Sequence, residues 1–371
     1  MKILTVFGTR PEAIKMAPIV KQLDFREDVE SIVCVTAQHR EMLDQVLNLF
    51  KIEPDYDLNI FKKGQSLTDI TSRALIGLED VIKEVGPDVL LVQGDTTTVF
   101  SGALAAFYQG VKIGHVEAGL RSGNIYSPYP EEANRKLAGV LSNFHFVPTE
   151  RNRQNLLKEG FNDDDIYITG NTVIDALQYA IEDEYIFDNP LLDGVEYSRK
   201  RVILLTSHRR ENIGKPMENI FTATRDIVNS YDDVEVIFPL HLNPKVREIA
   251  RGILGGNPKI HLIEPLDYLP FTNLMARSHL VVTDSGGLQE EAPTLGKPVL
   301  VVREETERPE GVESGTARLV GTSYEKVFSN LDSLLRDREE YEKMAKARNP
   351  YGDGRAAERI VEILLKLKEV K

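Results

Sequence analysis

Short apolar runs alternate with stretches of helical periodicity along the whole chain. Apolar runs of four or five residues, rich in β-branched side chains, are typical of buried strands, and apolar residues spaced three or four apart indicate amphipathic helices. Their alternation predicts βαβ units and parallel sheets. We predict ten strands, at residues 3–7, 31–35, 88–92, 111–115, 144–147, 202–206, 234–238, 260–262, 280–282 and 299–302.

A charged, turn-rich segment at residues 182–200 separates the first five predicted strands from the last five. A chain of 371 residues also exceeds the usual size of one hydrophobic core. We therefore predict an α/β fold with two doubly wound parallel-sheet domains, residues 1–181 and 182–353, facing each other across a cleft. A long amphipathic helix is predicted within residues 354–371. Ligands of such sheets bind beyond the carboxyl ends of the strands, so polar residues at those ends are the candidates for function.

The composition, 42% hydrophobic and 28% charged, is typical of a globular protein in water. The net charge of −13 argues against a nucleic-acid or anionic-membrane partner, so a phosphate ligand needs a local group of cations. No signal peptide and no apolar run of about 18 residues is present, which predicts a cytoplasmic location. The single cysteine, Cys34, excludes an internal disulfide and a cysteine-rich metal site, and its apolar surroundings predict an inert buried thiol.

The segment Ser285-Gly286-Gly287 leads from a predicted strand into a helix. The first N–H groups of a helix lack partners and carry the positive end of its dipole, so this turn is a candidate phosphate site. Glu291 lies one helical turn beyond Gly287 and could accept the hydroxyls of a ribose. The alternative is an ordinary helix start with Ser285 as the N-cap.

Two basic residues follow the first predicted strand. Arg10 and Lys15 lie on either side of Pro11, which suits the first position of a helix, and both could reach a diphosphate. The alternative is that Arg10 forms an ion pair with Glu12 or another acid and contacts no ligand.

Three carboxylates of the first domain are candidates for acid/base chemistry. Asp95 follows residues 88–92 and could alternatively cap the next helix. Glu117 follows the strand at 111–115 between glycine-permitted turns, which a structural role explains poorly. Glu131 begins a predicted helix, where an acid also suits the dipole.

In the second domain, His208 follows a predicted strand and could donate to a phosphate or exchange a proton near neutral pH. Arg308 adds a cation, although the charged run around it is also typical of a solvated surface. Nucleotide-binding P-loop, dinucleotide-binding and nucleophile-elbow motifs are missing, which disfavours a redox cofactor and a kinase-type phosphate loop. His115 and Glu117 have the H-x-E spacing of zinc deaminases, but the cysteine pair of those enzymes is missing, so we expect no metal. Cations from both domains and carboxylates from the first fit a nucleoside-diphosphate sugar whose diphosphate departs while protons are moved.

Eight segments resemble the non-hydrolysing UDP-N-acetylglucosamine 2-epimerases. They occur in order over nearly the full chain, and their combination is highly specific. They are GTRPE at 8–12, TAQHREMLDQ at 36–45, GDTTT at 94–98, GHVEAGLRS at 114–122, PEEANR at 130–135, HRREN at 208–212, DSGGLQEEAP at 284–293 and ERPEG at 307–311.

The resemblance implies a GT-B fold, with the C-terminal helix packed back on the first of two Rossmann-like domains, usually in a homodimer. It implies reversible inversion at C2 of UDP-N-acetylglucosamine without metal or nicotinamide. In this family UDP is eliminated to give 2-acetamidoglucal, and UDP is then added back while a proton reaches the opposite face of C2.

The resemblance also assigns roles to residues, without saying which carboxylate is base and which is acid. The catalytic set that it implies is Asp95, Glu117, Glu131 and His208, the last assisting the departure of UDP. The implied substrate contacts are Arg10, Lys15, Asp95, Glu117, His208, Phe271, Ser285, Gly286, Gly287, Glu291 and Arg308, with Phe271 in a YLPF turn near uracil. Bacterial members are activated by substrate at a second site, for which the candidates are Gln38, His39 and Arg73, and ordinary surface residues are the alternative. Ser207 departs from the glycine expected before the HRR motif.

Three other functions stay open at this point. A GT-B glycosyltransferase would use the same UDP-sugar but needs an acceptor site, and three carboxylates favour proton chemistry instead. A hydrolysing 2-epimerase would release N-acetylmannosamine and UDP. A nucleotide-sugar sensor would bind without catalysis.

Overall fold

Two units of parallel-sheet α/β structure make up the chain in the computed structural model, which describes residues 1–38 and 40–369. The first domain comprises Met1–Tyr179 and the chain from Tyr351 onward, and the second domain is Ala180–Pro350. Each contains one sheet flanked by helices, so the prediction of two doubly wound parallel-sheet domains is confirmed.

A seven-stranded sheet forms the centre of the first domain. Its strands are β1 (Lys2–Phe7), β2 (Glu30–Val35), β3 (Tyr56–Asp57), β4 (Val89–Gln93), β5 (Lys112–Val116), β6 (Phe144–Val147) and β7 (Ile166–Ile168). They lie in the order β3-β2-β1-β4-β5-β6-β7, with every pair parallel. The chain order reverses between β1 and β4, and the loops after these two strands therefore mark the place where such sheets bind ligands.

Seven helices connect and cover these strands. They are α1 (Arg10–Asp24), α2 (Arg40–Phe50), α3 (Leu67–Val85), α4 (Thr97–Tyr108), α5 (Glu131–Leu141), α6 (Glu150–Lys158) and α7 (Thr172–Ala180), with a 3-10 turn at Asp163–Asp165. Because helices lie over both faces, the central strands are buried on both sides and consist almost entirely of apolar residues, as Val89–Val92 do.

The second domain has a six-stranded parallel sheet. Its strands are β8 (Arg201–Thr206), β9 (Val234–Pro239), β10 (Ile260–Ile263), β11 (Leu280–Thr283), β12 (Val299–Val301) and β13 (Ala317–Leu319), in the order β10-β9-β8-β11-β12-β13. Its helices are α8 (Pro190–Asp193), α9 (Lys215–Ser230), α10 (Pro244–Leu254), α11 (Tyr268–Arg277), α12 (Gly286–Thr294), α13 (Pro309–Glu313), α14 (Tyr324–Arg336) and α15 (Arg338–Ala345), with a 3-10 turn at Arg210–Asn212. Here the strand order reverses between β8 and β11.

The last helix, α16 (Ala356–Glu369), belongs to the first domain and contacts α1. The carboxylate of Asp175 accepts hydrogen bonds from the N–H groups of Ala356 and Ala357, at 3.2 and 2.8 Å, and so satisfies the start of the helix. Ile360 and Leu364 are fully buried on its inner face. A carboxylate at the positive end of the helix dipole and an apolar face hold the C-terminal helix on the first domain.

All ten predicted strands are confirmed, each to within one residue at either end. The structure adds three short strands, β3, β7 and β13, each at the edge of a sheet. Across the two described ranges, 1–38 and 40–369, no helix combines the length and the apolar composition needed to cross a membrane.

Candidate functional site

Glu12 ties the loop after β1 to the loop after β4. Its carboxylate accepts hydrogen bonds from the Gly8 N–H at 3.3 Å and from Thr96 Oγ1 at 2.8 Å. Burial raises the pKa of Glu12 to about 7. The Glu12 carboxylate is thus held by Gly8 and Thr96, and Arg10 begins α1 beside these two loops.

Asp95 is not the cap of α4. Thr96 takes that position, and its Oγ1 accepts a hydrogen bond from the Val99 N–H at 3.3 Å. The Asp95 carboxylate instead forms an ion pair with Arg135, and the Asp95 carbonyl accepts a hydrogen bond from Asn134 Nδ2 at 3.0 Å. The capping alternative is thus wrong, and the carboxylate is held at the carboxyl end of β4.

Glu117 has a left-handed backbone with φ 61°, which is uncommon for a residue with a side chain. Its side chain is only 5% exposed and is held by Lys15, by Arg135 Nη2 at 3.4 Å and by Asn171 Nδ2 at 3.3 Å. Strained backbone of this kind persists where the surroundings over-determine it, and it is common at functional sites. Lys15 therefore lies against a carboxylate of its own domain.

Arg135 joins the two carboxylates. Its guanidinium, 5% exposed, pairs with Asp95 and Glu117 and also donates to the carbonyl oxygen of Glu117. Glu131 begins α5 one turn before Arg135, and residues four apart share one face of a helix. Arg135 thus brings Asp95 and Glu117 together at the ends of β4 and β5, and Glu131 begins the same helix.

His115, two residues before Glu117, has a structural role. Its Nε2 lies 2.7 Å from the carbonyl oxygen of Gly94, and burial lowers its pKa to about 3, so the ring is neutral near pH 7. Cys34 is buried, and burial raises the pKa of its thiol to about 12. Residues 1–38 and 40–369 contain no group of three His, Cys, Asp or Glu side chains suited to a metal ion.

The predicted phosphate site of the second domain is the start of α12. Ser285 occupies the N-cap position, but its side chain makes no capping hydrogen bond. A Cβ added at Gly286 would have no atom within 4 Å beyond its chain neighbours and its own helix backbone, so there is open space beside this glycine. A Cβ added at Gly287 would lie 3.2 Å from Glu291 Oε1, which places the Glu291 carboxylate over the helix start. This geometry suits a phosphate on the amides and a hydroxyl-bearing sugar beside Glu291.

His208 follows β8 and adjoins Asp284, which follows β11. Its Nδ1 lies 3.3 Å from Asp284 Oδ1, and its ring stacks on His241 with the ring centroids 5.3 Å apart. Burial lowers the pKa of His208, and the negative charge of Asp284 opposes that change. The imidazole is 39% exposed and lies at the reversal point of the sheet.

Two predicted substrate contacts have other partners in the domain. Phe271 lies in the first turn of α11 rather than in a loop, and its N–H donates to the Asp267 carbonyl at 3.0 Å. Arg308 precedes α13 and forms an ion pair with the buried carboxylate of Glu290 in α12. Arg308 therefore lies beside the helix that forms the predicted phosphate site.

Gln38 and Arg73, two of the predicted regulatory residues, form hydrogen bonds with different partners. Gln38 Oε1 accepts a hydrogen bond from Thr98 Oγ1 at 3.3 Å, whereas Arg73 donates to the Ile60 carbonyl at 3.0 Å and to Gln65 at 3.2 Å. His39 lies outside the described residues. A regulatory role for this set stays a prediction.

Three partners of the candidate groups were not predicted from the sequence: Arg135, Asn171 and Asp284. Arg135 and Asp284 lie inside the PEEANR and DSGGLQEEAP segments, so their motifs carried a signal. Asn171 follows the edge strand β7, which was not predicted, and only the folded sheet brings it to Glu117.

Comparison with known proteins agrees with this arrangement. The sequence profile of the UDP-N-acetylglucosamine 2-epimerase family matches residues 21–365. The UDP-N-acetylglucosamine 2-epimerase of Bacillus subtilis strain 168 is 56% identical over 365 residues, 98% of this chain and 95% of the relative. That of Escherichia coli K12 is 55% identical over 373 residues, 98% of each chain. The crystal structure of the UDP-GlcNAc 2-epimerase of Neisseria meningitidis bound to UDP-GlcNAc has a TM-score of 0.88 at 51% identity, covering 99% of this chain and 100% of that one.

Such identity over nearly the whole chain confirms the predicted GT-B fold class and the predicted family. Asp95 and Glu117, held together at the strand ends of one sheet, are groups of the kind that acid/base chemistry requires. The chain belongs to the UDP-N-acetylglucosamine 2-epimerase family of isomerases.

Proposed function

We propose that this enzyme interconverts UDP-N-acetylglucosamine and UDP-N-acetylmannosamine by eliminating UDP and adding it back, without releasing the sugar. The observation that carries the proposal is the pairing of one buried guanidinium, Arg135, with both Asp95 and Glu117. Two carboxylates held on one group, with Glu131 on the same helix face, can serve a single carbon atom. Inversion at that carbon needs proton transfer on both of its faces.

The proposed elimination breaks the C2–H and C1–O bonds of the sugar and forms the C1–C2 double bond and an O–H bond on the enzyme's carboxylate. A carboxylate takes the proton from C2, the C2–H electron pair becomes the C1–C2 double bond, and UDP departs with the electron pair of the C1–O bond. The product is 2-acetamidoglucal. Addition in the reverse direction returns UDP to C1 and delivers a proton to the opposite face of C2, so that the configuration at C2 is inverted. Asp95, Glu117 and Glu131 form the acid/base set in this proposal.

The second domain holds the UDP in this proposal. The diphosphate binds at Ser285, Gly286 and Gly287, through the Ser285 hydroxyl and the N–H groups of the two glycines, while the Ser285 N–H donates to Thr283 Oγ1 at 2.9 Å. Glu291 binds the ribose. His208 donates to the departing diphosphate, and stabilising the developing charge there lowers the barrier to bond cleavage. Remaining contacts are assigned to Arg10, Lys15, Phe271 and Arg308.

The quaternary and cellular parts of the proposal are separate from the chemistry. We propose a homodimer in the cytoplasm, with UDP-N-acetylglucosamine as the only partner of the site and with no nucleic acid or membrane bound. Light scattering after size exclusion gives the mass of the assembly, and a monomer would contradict the dimer.

Product analysis tests the proposed function against its alternatives. Phosphorus NMR of a reaction started with UDP-N-acetylglucosamine follows the diphosphate while proton NMR identifies the sugar. The proposal predicts a stable mixture of two UDP-sugars with no free UDP accumulating. Free UDP with N-acetylmannosamine would show a hydrolysing enzyme instead, and an unchanged substrate would remove the catalytic proposal.

A further inference from the structure

Asp284 is a buried carboxylate whose two oxygens are used unequally. Oδ2 accepts four hydrogen bonds, from Ser207 Oγ, the N–H groups of His208 and Arg209, and Asn212 Nδ2, at 2.9, 2.9, 2.9 and 3.1 Å. Oδ1 is buried as well but accepts no hydrogen bond from the described residues. A buried polar atom that accepts no hydrogen bond costs free energy. A small movement of a neighbouring donor would let Oδ1 accept one.

The group beside Oδ1 is the imidazole of His208, whose Nδ1 lies 3.3 Å away. The planes of His208 and His241 differ by only 17°, and this stacking restrains the tilt of the His208 ring. Oδ2 holds the backbone N–H of His208 at the same time. One carboxylate therefore contacts both the backbone and the ring of His208.

We propose that Asp284 is a positioning residue for His208: Oδ1 accepts a hydrogen bond from Nδ1–H, and Nε2 is thereby directed to the departing diphosphate. The role of Nε2 rests on the proposed function, whereas the contact with Asp284 is a property of the second domain alone. In the neutral ring the proton lies on Nδ1. In the protonated ring the same contact stabilises the cation, and Nε2–H donates to the phosphate.

The charges around His208 make Asp284 the decisive group. Arg209 and the neighbouring ring of His241 disfavour a cation at His208, as does burial, while Glu211 and Asp284 favour it. Among these charged neighbours Asp284 has the largest effect. An opposite charge at this distance commonly moves a pKa by about 1 to 3.

Nitrogen NMR of the free enzyme tests the proposal without substrate. Two-bond proton–nitrogen correlations distinguish the two neutral tautomers, and a His208→Gln spectrum assigns the signals among the seven histidines. We expect the Nδ1–H tautomer in the parent at high pH. The Nε2–H tautomer would overturn the proposal, and this measurement needs no Asp284 variant to fold.

The Asp284→Asn variant adds a second measurement. Its amide oxygen can still accept the four hydrogen bonds of Oδ2, while its amide nitrogen faces Nδ1. The substitution removes the negative charge beside the His208 ring. The pKa of His208 should fall by about 1 or more. Ser207→Ala removes a donor to Oδ2 only and serves as the control, with the pKa of His208 unchanged. An unchanged pKa in Asp284→Asn, or an equal fall in both variants, contradicts the proposal.

Kinetics separate this inference from the proposed function. If His208 acts as a cation, activity is lost as the pH rises through its pKa, so Asp284→Asn should move the alkaline limb of the kcat profile to lower pH. Absent epimerase activity with the NMR result intact would remove the proposed function and leave the Asp284 contact standing. Normal epimerase activity with the Nε2–H tautomer would support the proposed function and overturn the positioning role of Asp284.

Discussion

The guanidinium of Arg135 forms an ion pair with the carboxylate of Asp95, 40 residues earlier in the chain. Nη2 of the same guanidinium lies 3.4 Å from Glu117 Oε1, so one buried side chain contacts two candidate acid/base groups. Arginine presents its donors in a rigid planar fork, which lysine cannot reproduce. The α5 helix, which begins at Glu131, therefore holds Asp95 and Glu117 through Arg135.

Arg135→Lys tests this dependence. The variant keeps the positive charge, but its shorter side chain lacks the fork with which Arg135 reaches both carboxylates and the Glu117 carbonyl oxygen. Misplacement of a catalytic group by about 1 Å commonly lowers the rate by about 10²-fold. We expect kcat to fall by about that factor while the affinity for UDP, measured by calorimetry, stays at the parent value.

Arg153→Lys is the matched control for that variant. Arg153 also pairs with two carboxylates of the first domain, Glu150 and Asp163, but on the exposed surface of α6. Its kcat should equal that of the parent. Equal kcat values for Arg135→Lys and the parent would show that the bridging arrangement has no part in catalysis.

Asp95→Asn addresses the carboxylate itself. The amide keeps the shape of the side chain but cannot take a proton, so turnover should fall by orders of magnitude in a steady-state assay. The affinity for UDP should stay unchanged because Asp95 is assigned to proton transfer, whereas the proposed diphosphate and ribose sites lie at the start of α12. A variant with nearly full turnover would remove Asp95 from the catalytic set.

Gly286→Ala tests the approach of phosphate to the start of α12. The added Cβ meets no protein atom within 4 Å, so the fold should tolerate it, yet it would occupy the space where a phosphate contacts the amides. We expect the Kd for UDP to rise at least about tenfold, which corresponds to about 1.4 kcal/mol.

Gly252→Ala provides the control in the same domain. This glycine lies within α10, and a Cβ there also meets no protein atom within 4 Å. The free energy of unfolding should rise slightly, because alanine favours a helix more than glycine does, while UDP binding is unchanged. Equal UDP affinity in Gly286→Ala and Gly252→Ala would place the diphosphate elsewhere.

The raised pKa of Glu12 predicts that the free energy of unfolding depends on pH. Burial raises its pKa from 4.5 to about 7, so the folded state binds this proton more tightly than the unfolded state does. Its contribution to folding is therefore fully present below pH 4.5 and is lost as the pH rises through about 7. Glu12→Gln removes this titration. Relative to the parent, its free energy of unfolding should increase between about pH 5 and about pH 8, by about 3 kcal/mol at most.

Urea denaturation at the two pH values measures that difference. Glu27→Gln, which changes an exposed glutamate of the same domain, should show the pH dependence of the parent. If Glu12→Gln also follows the parent, Glu12 does not titrate in this range and the link between the two loops carries no buried proton.

The predicted strands and the structure differ in an instructive way. Buried central strands such as β4 are continuous apolar runs, and each was predictable because burial on both faces demands such a run. The edge strands β3, β7 and β13 have only two or three residues, and Tyr56–Asp57 carries no apolar pattern at all. These strands form because a neighbouring strand offers hydrogen bonds, which local sequence does not show.

In the candidate site, the carboxylates were predictable from local sequence, whereas their side-chain partners were not. Asp95 and Glu117 could be selected because each follows a strand, and strand ends are where such sheets bind ligands. The partners that hold them could not be inferred from position alone. Arg135 reaches both from another helix, and Asn171 reaches Glu117 from 54 residues away. Side-chain partners of this kind depend on the packed arrangement of whole elements.

Transfer of solvent hydrogen to C2 tests the central claim most directly. UDP-N-acetylglucosamine is incubated with the enzyme in deuterium oxide, and the C2 position of both UDP-sugars is followed by proton NMR. Proton removal and return at C2 predict that UDP-N-acetylmannosamine appears with deuterium at C2 and that deuterium also enters the recovered starting sugar on reversal. Formation of UDP-N-acetylmannosamine that retains its original C2 hydrogen, or no formation of it at all, would contradict the account.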